Sequence, residues 1–63
     1  MNIREIIKLE SGIYTAEMGG ERVTISREKG YGFSVRHAPK KNGWCEVSYY
    51  DEMGNYEGEG VEK

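Results

Sequence analysis

The sequence predicts an α+β fold in which a short N-terminal helix packs on a four- or five-stranded antiparallel meander sheet. Isoleucines recur at helical spacing near the N-terminus, short β-branched and aromatic runs follow, and glycine-containing turn sequences separate those runs. We expect the whole chain, residues 1–63, to form a single small domain. Such a domain has a thin core and little room for a deep cleft, so we do not expect an enzyme.

The helix is predicted over about residues 2–10. Asn2 and Glu5 have the spacing of a capping box, in which each side chain accepts a hydrogen bond from the other residue's backbone N–H. Three isoleucines then share one helical face: Ile3, Ile6 and Ile7. About two turns of helix are unstable alone in water, so this face must pack on the sheet.

Four strands are predicted over about residues 13–18, 21–27, 31–38 and 44–50. A fifth strand over 55–61 is left open, because glycines and acidic residues weaken the strand pattern there. A two-residue turn at Gly19-Gly20 and a three-residue loop at residues 28–30 connect the first three strands. The registers that keep apolar residues on one face pair Ala16 with Val23, Tyr14 with Ile25, Ile25 with Phe33, Val23 with Val35, Val35 with Val47, and Phe33 with Tyr49.

These registers divide the predicted sheet into a core face and a solvent face. Trp44 and Tyr50 are expected at the ends of the solvent face, with Arg22 and Arg36 between them. The same registers place Arg36 opposite Glu46. Aromatic side chains combined with arginines are typical of the residues that dominate binding energy at protein interfaces. The solvent face is therefore the predicted interaction surface.

Charge is segregated along the chain. Residues 22–41 carry six basic side chains against one acid, whereas residues 42–63 carry one lysine against six acids. The simplest interpretation is that the two segments neutralise one another in the fold. The alternative is that the basic segment or the acidic tail faces a partner.

Few residues suit catalysis or metal binding. His37 and Cys45 are predicted cross-strand neighbours, but one histidine and one cysteine are too few for a zinc site, and we interpret Cys45 as a small core hydrophobe. The acidic turn over residues 51–55 lacks the ligand spacing of a calcium loop. We therefore expect no catalytic residues, no metal and no cofactor.

The cellular setting follows from what the sequence contains. The single cysteine excludes an internal disulfide, and no apolar run is long enough to span a bilayer. We therefore expect a cytoplasmic protein that does not bind membranes.

The first functional hypothesis is a non-enzymatic protein-binding module, such as a phage-type modulator or inhibitor of a host protein. It would act through the exposed sheet face, an edge strand or the acidic tail, and self-association into a homo-oligomer remains open. The predicted partner-binding residues are Arg22, Arg36, Lys40, Lys41, Trp44, Glu46, Tyr50, Asp51 and Glu52.

The alternative hypothesis is a nucleic-acid-binding sheet. Arg22, Arg36, Lys40 and Lys41 would contact phosphates, and exposed aromatic residues would stack on bases. The hairpin over residues 42–55, with its tryptophan, tyrosine-rich strand and acidic glycine turn, resembles the strand pair of arm-type DNA-binding domains of phage integrases. The acidic segment that follows departs from the basic character of those domains, and a pI near 5.3 counts against nucleic acid.

Overall fold

Five antiparallel strands, paired in chain order, form one meander sheet in the computed structural model, which describes residues 1–63. The elements are α1 (Ile3–Ile6), β1 (Gly12–Met18), β2 (Glu21–Glu28), β3 (Gly32–Arg36), β4 (Cys45–Asp51) and β5 (Tyr56–Glu62). The antiparallel sheet is confirmed, and the fifth strand, which the sequence left open, is present. The chain is mostly β, however, and a helix of four residues is too little for the α+β class that we predicted. No helix here has the length and apolar character needed to cross a membrane.

The helix begins as predicted but ends early. Its capping box is present: Glu5 N–H donates to the Asn2 side chain at 3.0 Å, and Asn2 N–H donates to the Glu5 carboxylate at 3.1 Å. The predicted helix ran to residue 10, whereas the observed one ends at Ile6. Beyond this point the carbonyl groups of Ile7 and Leu9 accept hydrogen bonds from a side chain of the sheet, which holds this segment in a different path.

The core lies between this helix and one face of the sheet. It consists of five buried side chains: Ile6, Val23, Ile25, Phe33 and Val35. The ring of Phe33 stacks on that of Tyr50, with centroids 4.7 Å apart. The turn between β4 and β5 also contacts the helix here, since a Cβ atom on Gly54 would lie 2.6 Å from Ile3 Cγ2. The short helix is thus held by its core isoleucine and by the turn between β4 and β5.

The register of the first hairpin is confirmed. Tyr14 lies opposite Ile25 and Ala16 opposite Val23. Gly19 and Gly20 both have positive φ, 60° and 80°, which a two-residue hairpin turn requires. Because the turn has only two residues, it permits no other pairing of the strands that it joins.

The register between β2 and β3 differs from the prediction by two residues. Ile25 lies opposite Val35 instead of Phe33, because the loop occupies residues 29–31 and not 28–30. A shift by an even number of residues leaves every side chain on its predicted face. The predicted core positions of these two strands therefore survive the error.

The register between β3 and β4 is shifted by one residue, and this prediction was wrong in its consequences. Phe33 lies opposite Tyr50, and Val35 lies opposite Ser48. An odd shift turns every β4 side chain to the other face. Val47 and Tyr49 therefore leave the predicted core rows, while Tyr50 moves from the predicted solvent face to the core face, where it stacks on Phe33.

Gly32 permits the close approach of β3 and β4 at this point. A Cβ atom at Gly32 would lie 2.2 Å from the carbonyl oxygen of Tyr50, and the φ of Gly32 is 142°. Only glycine fits this combination of backbone conformation and space. The residue thereby secures the observed register at the end of the ladder.

Candidate functional site

The candidate site is the side of the sheet that the helix does not cover, here called the open face. Its residues alternate with the core residues along each strand. The open face contains Ile13, Thr15, Glu17, Arg22, Thr24, Ser26, Glu28, Ser34, Arg36, Cys45, Val47, Tyr49, Gly58, Gly60 and Glu62. Two grooves lie along this face, one at each end.

The first groove, here called the aromatic groove, has a volume of about 500 Å³. Its lining includes two tyrosines, one isoleucine, two serines and two glutamates: Tyr31, Tyr49, Ile13, Ser26, Ser34, Glu28 and Glu57. Tyr31 is 78% exposed and Ile13 is 76% exposed. These two large side chains therefore give this end of the face an exposed apolar surface.

Glycines in β5 give the Tyr49 ring its place in this groove. A Cβ atom on Gly60 would lie 3.4 Å from Tyr49 Cε2, so the ring lies beside bare backbone. Gly58 is paired directly with Tyr49 in the ladder. A larger residue at Gly60 would contact the ring and change the shape of this wall.

The second groove, here called the arginine groove, has a volume of about 430 Å³ and is lined by Arg22, Thr24, Arg36, His37, Ala38, Pro39 and Cys45. Arg22 is exposed and forms no ion pair. Arg36 donates from Nη2 to the carbonyl oxygen of Lys63 at 3.1 Å, and its Nη1 lies 4.0 Å from Glu62.

The path of Arg36 explains two buried side chains on the open face. Arg36 belongs to β3, yet its hydrogen bond reaches the end of β5, so its side chain crosses β4. Val47 is paired with Arg36, and Val47 and Cys45 are only 2% and 6% exposed. The apolar stem of the arginine covers them. Cys45 is therefore buried, as predicted, but not in the core beneath the helix.

Arg27, which sequence reasoning did not single out, is the most heavily bonded side chain of the molecule. Its guanidinium donates to both carboxylate oxygens of Glu52 at 3.0 and 3.1 Å. It also donates to the carbonyl oxygens of Ile7 at 3.0 Å, Leu9 at 3.3 Å and Gly32 at 2.9 Å. The Arg27 side chain is 0% exposed. One signal was present in the sequence: Arg27 continues the alternating row of Val23 and Ile25, where a cation needs acceptors.

Glu52, a predicted partner-binding residue, is engaged within the fold. Besides pairing with Arg27, it accepts a hydrogen bond from Gly30 N–H at 2.7 Å. Hydrogen bonding from the Arg27 guanidinium holds the pKa of Glu52 below its ordinary value of 4.5. The neighbouring Asp51 accepts from Met53 N–H and Asn55 N–H, both at 2.9 Å, and hydrogen bonding from the Asn55 backbone lowers its pKa. Both carboxylates thus organise the turn between β4 and β5.

A polar cluster lies near the loop after β3. His37 Nδ1 is 3.2 Å from Glu21 and its Nε2 is 3.3 Å from Ser48 Oγ. Glu21 also accepts from Ala38 N–H at 3.1 Å, which is the main reason that its pKa is lowered. The order serine, histidine, acid occurs in hydrolases, but such sites also need donors for the developing oxyanion and space for a substrate. Neither groove is lined by Ser48, so we interpret the cluster as a set of structural hydrogen bonds that hold the loop in place.

His37 and Cys45 are not the predicted cross-strand pair. His37 N–H donates to the carbonyl oxygen of Glu46 at 2.8 Å, so Glu46 is its backbone partner. The same one-residue shift overturns the predicted pairing of Arg36 with Glu46, since Arg36 lies opposite Val47.

The remaining predicted residues are dispersed. Lys40 and Glu46 form a 2.8 Å ion pair, in which the hydrogen bond raises the pKa of Lys40 and lowers that of Glu46. Trp44 is half-exposed, and Lys63 Nζ lies 5.7 Å from its ring centroid. Lys41 is exposed and without an ion pair. Of the nine predicted residues, Arg22 and Arg36 come together on the open face.

Known proteins add no family to this description. No protein-family model matches the sequence, and neither a curated protein nor a solved structure matches the chain. Its function is therefore inferred from the surface that the residues build.

Proposed function

We propose that this chain is a small, non-enzymatic protein-binding module that holds its partner on the open face of the sheet. The carrying observation is the aromatic groove, where Tyr31, Tyr49 and Ile13 remain exposed beside Glu28 and Glu57, two acids without ion pairs. Protein interfaces combine exposed aromatic anchors with a polar rim in this way.

The state of the charges elsewhere supports this choice of surface. Arg27 with Glu52, Lys29 with Glu10, and Lys40 with Glu46 are ion pairs. Charges that are already paired within the chain have less to offer a ligand than unpaired ones. The unpaired Arg22, Glu28 and Glu57 lie at the two ends of the open face, where a partner could satisfy them.

The same ion pairs favour a protein partner over nucleic acid. Within the basic segment of residues 22–41, four side chains are paired with acids: Arg27, Lys29, Arg36 and Lys40. Only Arg22 and Lys41 are left without an ion pair, whereas nucleic-acid affinity depends on several cations that neutralise phosphates. In this proposal the module acts in the cytoplasm as a phage-type modulator or inhibitor of its partner.

The test is capture of a partner with matched variants. The tagged protein is incubated with nuclease-treated lysate of the source organism, in parallel with an open-face variant, Tyr31→Ala/Tyr49→Ala, and a helix-side variant, Arg4→Ala/Lys8→Ala. We expect one protein to be retained by the wild type and the helix-side variant and lost from the open-face variant. The captured protein should then shift the backbone amide resonances of the open-face residues in β2 and β3.

Two results would contradict the proposal. Retention of the same partner by the Tyr31→Ala/Tyr49→Ala variant would place binding on another surface. A species that is captured from untreated lysate and is absent after nuclease treatment would favour the nucleic-acid hypothesis. Circular dichroism of each variant shows that a loss of capture is not a loss of fold, and sedimentation shows whether the partner is a second copy of this chain.

A further inference from the structure

We infer that the aromatic groove binds a cationic side chain, an arginine or lysine presented by the protein partner. The inference rests on the proposed function and gives the chemistry of the residue that the partner inserts. It follows from the charge, the aromatic surface and the hydrogen-bonding groups of the groove.

The first step is the charge of the groove. Glu28 and Glu57 line it, and neither carboxylate forms an ion pair or a hydrogen bond within the chain. The only cation in the lining is Arg27, whose guanidinium is already bound to Glu52 and to carbonyl groups. The neighbouring Lys29 is held by Glu10 at 2.6 Å. The groove therefore has two carboxylates and no cation free to neutralise them.

The second step is the surface between the carboxylates. Tyr31 and Tyr49 line the groove. Aromatic rings attract guanidinium and ammonium groups to their faces through the ring quadrupole. Ser26 and Ser34 are directly paired in the ladder, and their hydroxyl groups can accept hydrogen bonds from the same ligand. Apolar, aromatic and acceptor groups together suit a side chain with an aliphatic stem and a charged end.

The third step is the polarity of the open face. Strand β2 presents Arg22 in the arginine groove and Glu28 in the aromatic groove. The two residues are six positions apart in the strand, which corresponds to about 20 Å. A second cation would be repelled at the Arg22 end, so the inserted basic side chain has one preferred end of the face.

The experiment uses N-acetyl-L-arginine amide as the probe and N-acetyl-L-citrulline amide as its uncharged, nearly isosteric control. Each is titrated into the ¹⁵N-labelled full-length chain while backbone amide shifts are recorded. We expect the arginine probe to shift the amides of Ile13, Ser26 and Ser34, and citrulline to bind at least about tenfold more weakly, since it lacks the charge.

Two double variants separate the site from the overall charge of the chain. Glu28→Gln/Glu57→Gln removes the carboxylates of the groove and is expected to weaken binding of the arginine probe at least about tenfold. Glu17→Gln/Glu59→Gln removes the same charge from two acids outside the groove that form no ion pairs, and it should change binding less than about twofold. For each variant, an amide spectrum that matches the wild-type spectrum away from the substituted residues shows that the variant is folded.

Equal binding of arginine and citrulline, shifts outside the groove, or equal losses in the two double variants would overturn the inference. Its failure can be told apart from failure of the proposed function. A partner that is captured on the open face and is unaffected by Glu28→Gln/Glu57→Gln would remove the cation site and leave the module. Binding of the arginine probe in the groove without any captured partner would leave the cation site and remove the proposed protein-binding function.

Discussion

Arg22 and Arg27 lie on the same strand, and the fold uses them in opposite ways. Arg27 points to the helix side, where its buried guanidinium is bound by Glu52 and four carbonyl groups. Arg22 points to the open face, where it is exposed and has no ion pair. The number of residues between them is even, so alternation along the strand puts them on different sides. Residue type alone thus does not tell a structural charge from an available one.

The acids divide in the same manner. Glu52 and Asp51 are used to build the turn between β4 and β5, whereas Glu28 and Glu57 line the aromatic groove without ion pairs. On the helix side, the pair of Arg27 and Glu52 holds a small core together. The other side keeps charges and aromatic rings exposed. The following variants test that division.

The largest effect is expected from Arg27→Met. The change leaves the carbonyl groups of Ile7, Leu9 and Gly32 without their donor and breaks the pair with Glu52. We expect the free energy of unfolding to fall by about 3–5 kcal/mol, because each buried acceptor left without its donor costs about 1–3 kcal/mol. Urea titration followed by circular dichroism measures it.

Arg22→Met is the matched control, because it makes the same chemical change on the open face. It should alter the free energy of unfolding by less than about 0.5 kcal/mol. Equal stability of the two variants would mean that the Arg27 cluster does not hold the fold, and the division of the two faces would fail.

A smaller loss, about 2–3 kcal/mol, is expected from Gly32→Ala. Alanine there must adopt a φ of 142° and place its Cβ 2.2 Å from the Tyr50 carbonyl oxygen, so strain and backbone displacement add. Gly60→Ala is the control within the same sheet, because its added Cβ meets only the Tyr49 ring at 3.4 Å. If both variants unfold at the same urea concentration, close approach of β3 and β4 does not set the register.

The turns explain which parts of this sheet were predictable from sequence. The two-residue turn at Gly19-Gly20 permits one register, and that hairpin was predicted correctly. The three-residue loop between β2 and β3 could be placed in two ways that both keep the apolar residues on one face. The prediction chose the wrong placement, which shifted the register by two residues and changed no side chain's face. The long connection from His37 to Trp44 imposes no register. There the prediction was wrong by one residue, which placed the β4 side chains on the opposite faces.

The adjacent Tyr49 and Tyr50 made that error hard to detect. Either tyrosine could face the core, and Val47 favoured the wrong choice because a valine is expected under the helix. In the structure Tyr50 stacks on Phe33, while Val47 is buried on the open face by the stem of Arg36. Burial by a long charged side chain from two strands away leaves no periodic signal in the sequence.

The candidate site was therefore predicted only in part. Exposure of Arg22 and its proximity to Arg36 on one face follow from strand alternation. The aromatic groove does not, because it needs Tyr49 on the open face and the β2–β3 loop one residue later, which brings Tyr31 to the loop end. Both features depend on registers set by tertiary packing.

Acid should weaken the fold through the two carboxylates of the turn between β4 and β5. The pKa values of Glu52 and Asp51 lie below their ordinary values of 4.5 and 3.8, because Arg27 and the Asn55 backbone, respectively, bind the charged forms. The unfolded chain then takes up protons first as pH falls, so this stability is present above about pH 5 and is lost as pH drops through the folded-state values.

Urea midpoints between pH 7 and pH 3 measure this dependence. Glu52→Gln should flatten the decline, whereas Glu28→Gln, which removes a carboxylate without a bond in the fold, should keep the wild-type profile. A decline that is unchanged in Glu52→Gln would assign the acid sensitivity to other groups.

The smallest expected effect distinguishes the two arginines of the open face from each other. Arg36→Ala removes a hydrogen bond to Lys63, an ion pair at 4.0 Å and the cover over Val47. We expect a loss of about 1 kcal/mol in the free energy of unfolding, because the pair is half-exposed and only the stem packs. Arg22→Ala, without such contacts, should lie within about 0.5 kcal/mol of the wild type. If Arg36→Ala is as stable as Arg22→Ala, Val47 owes its burial to something other than the Arg36 stem, and both arginines are then equally free to meet a partner.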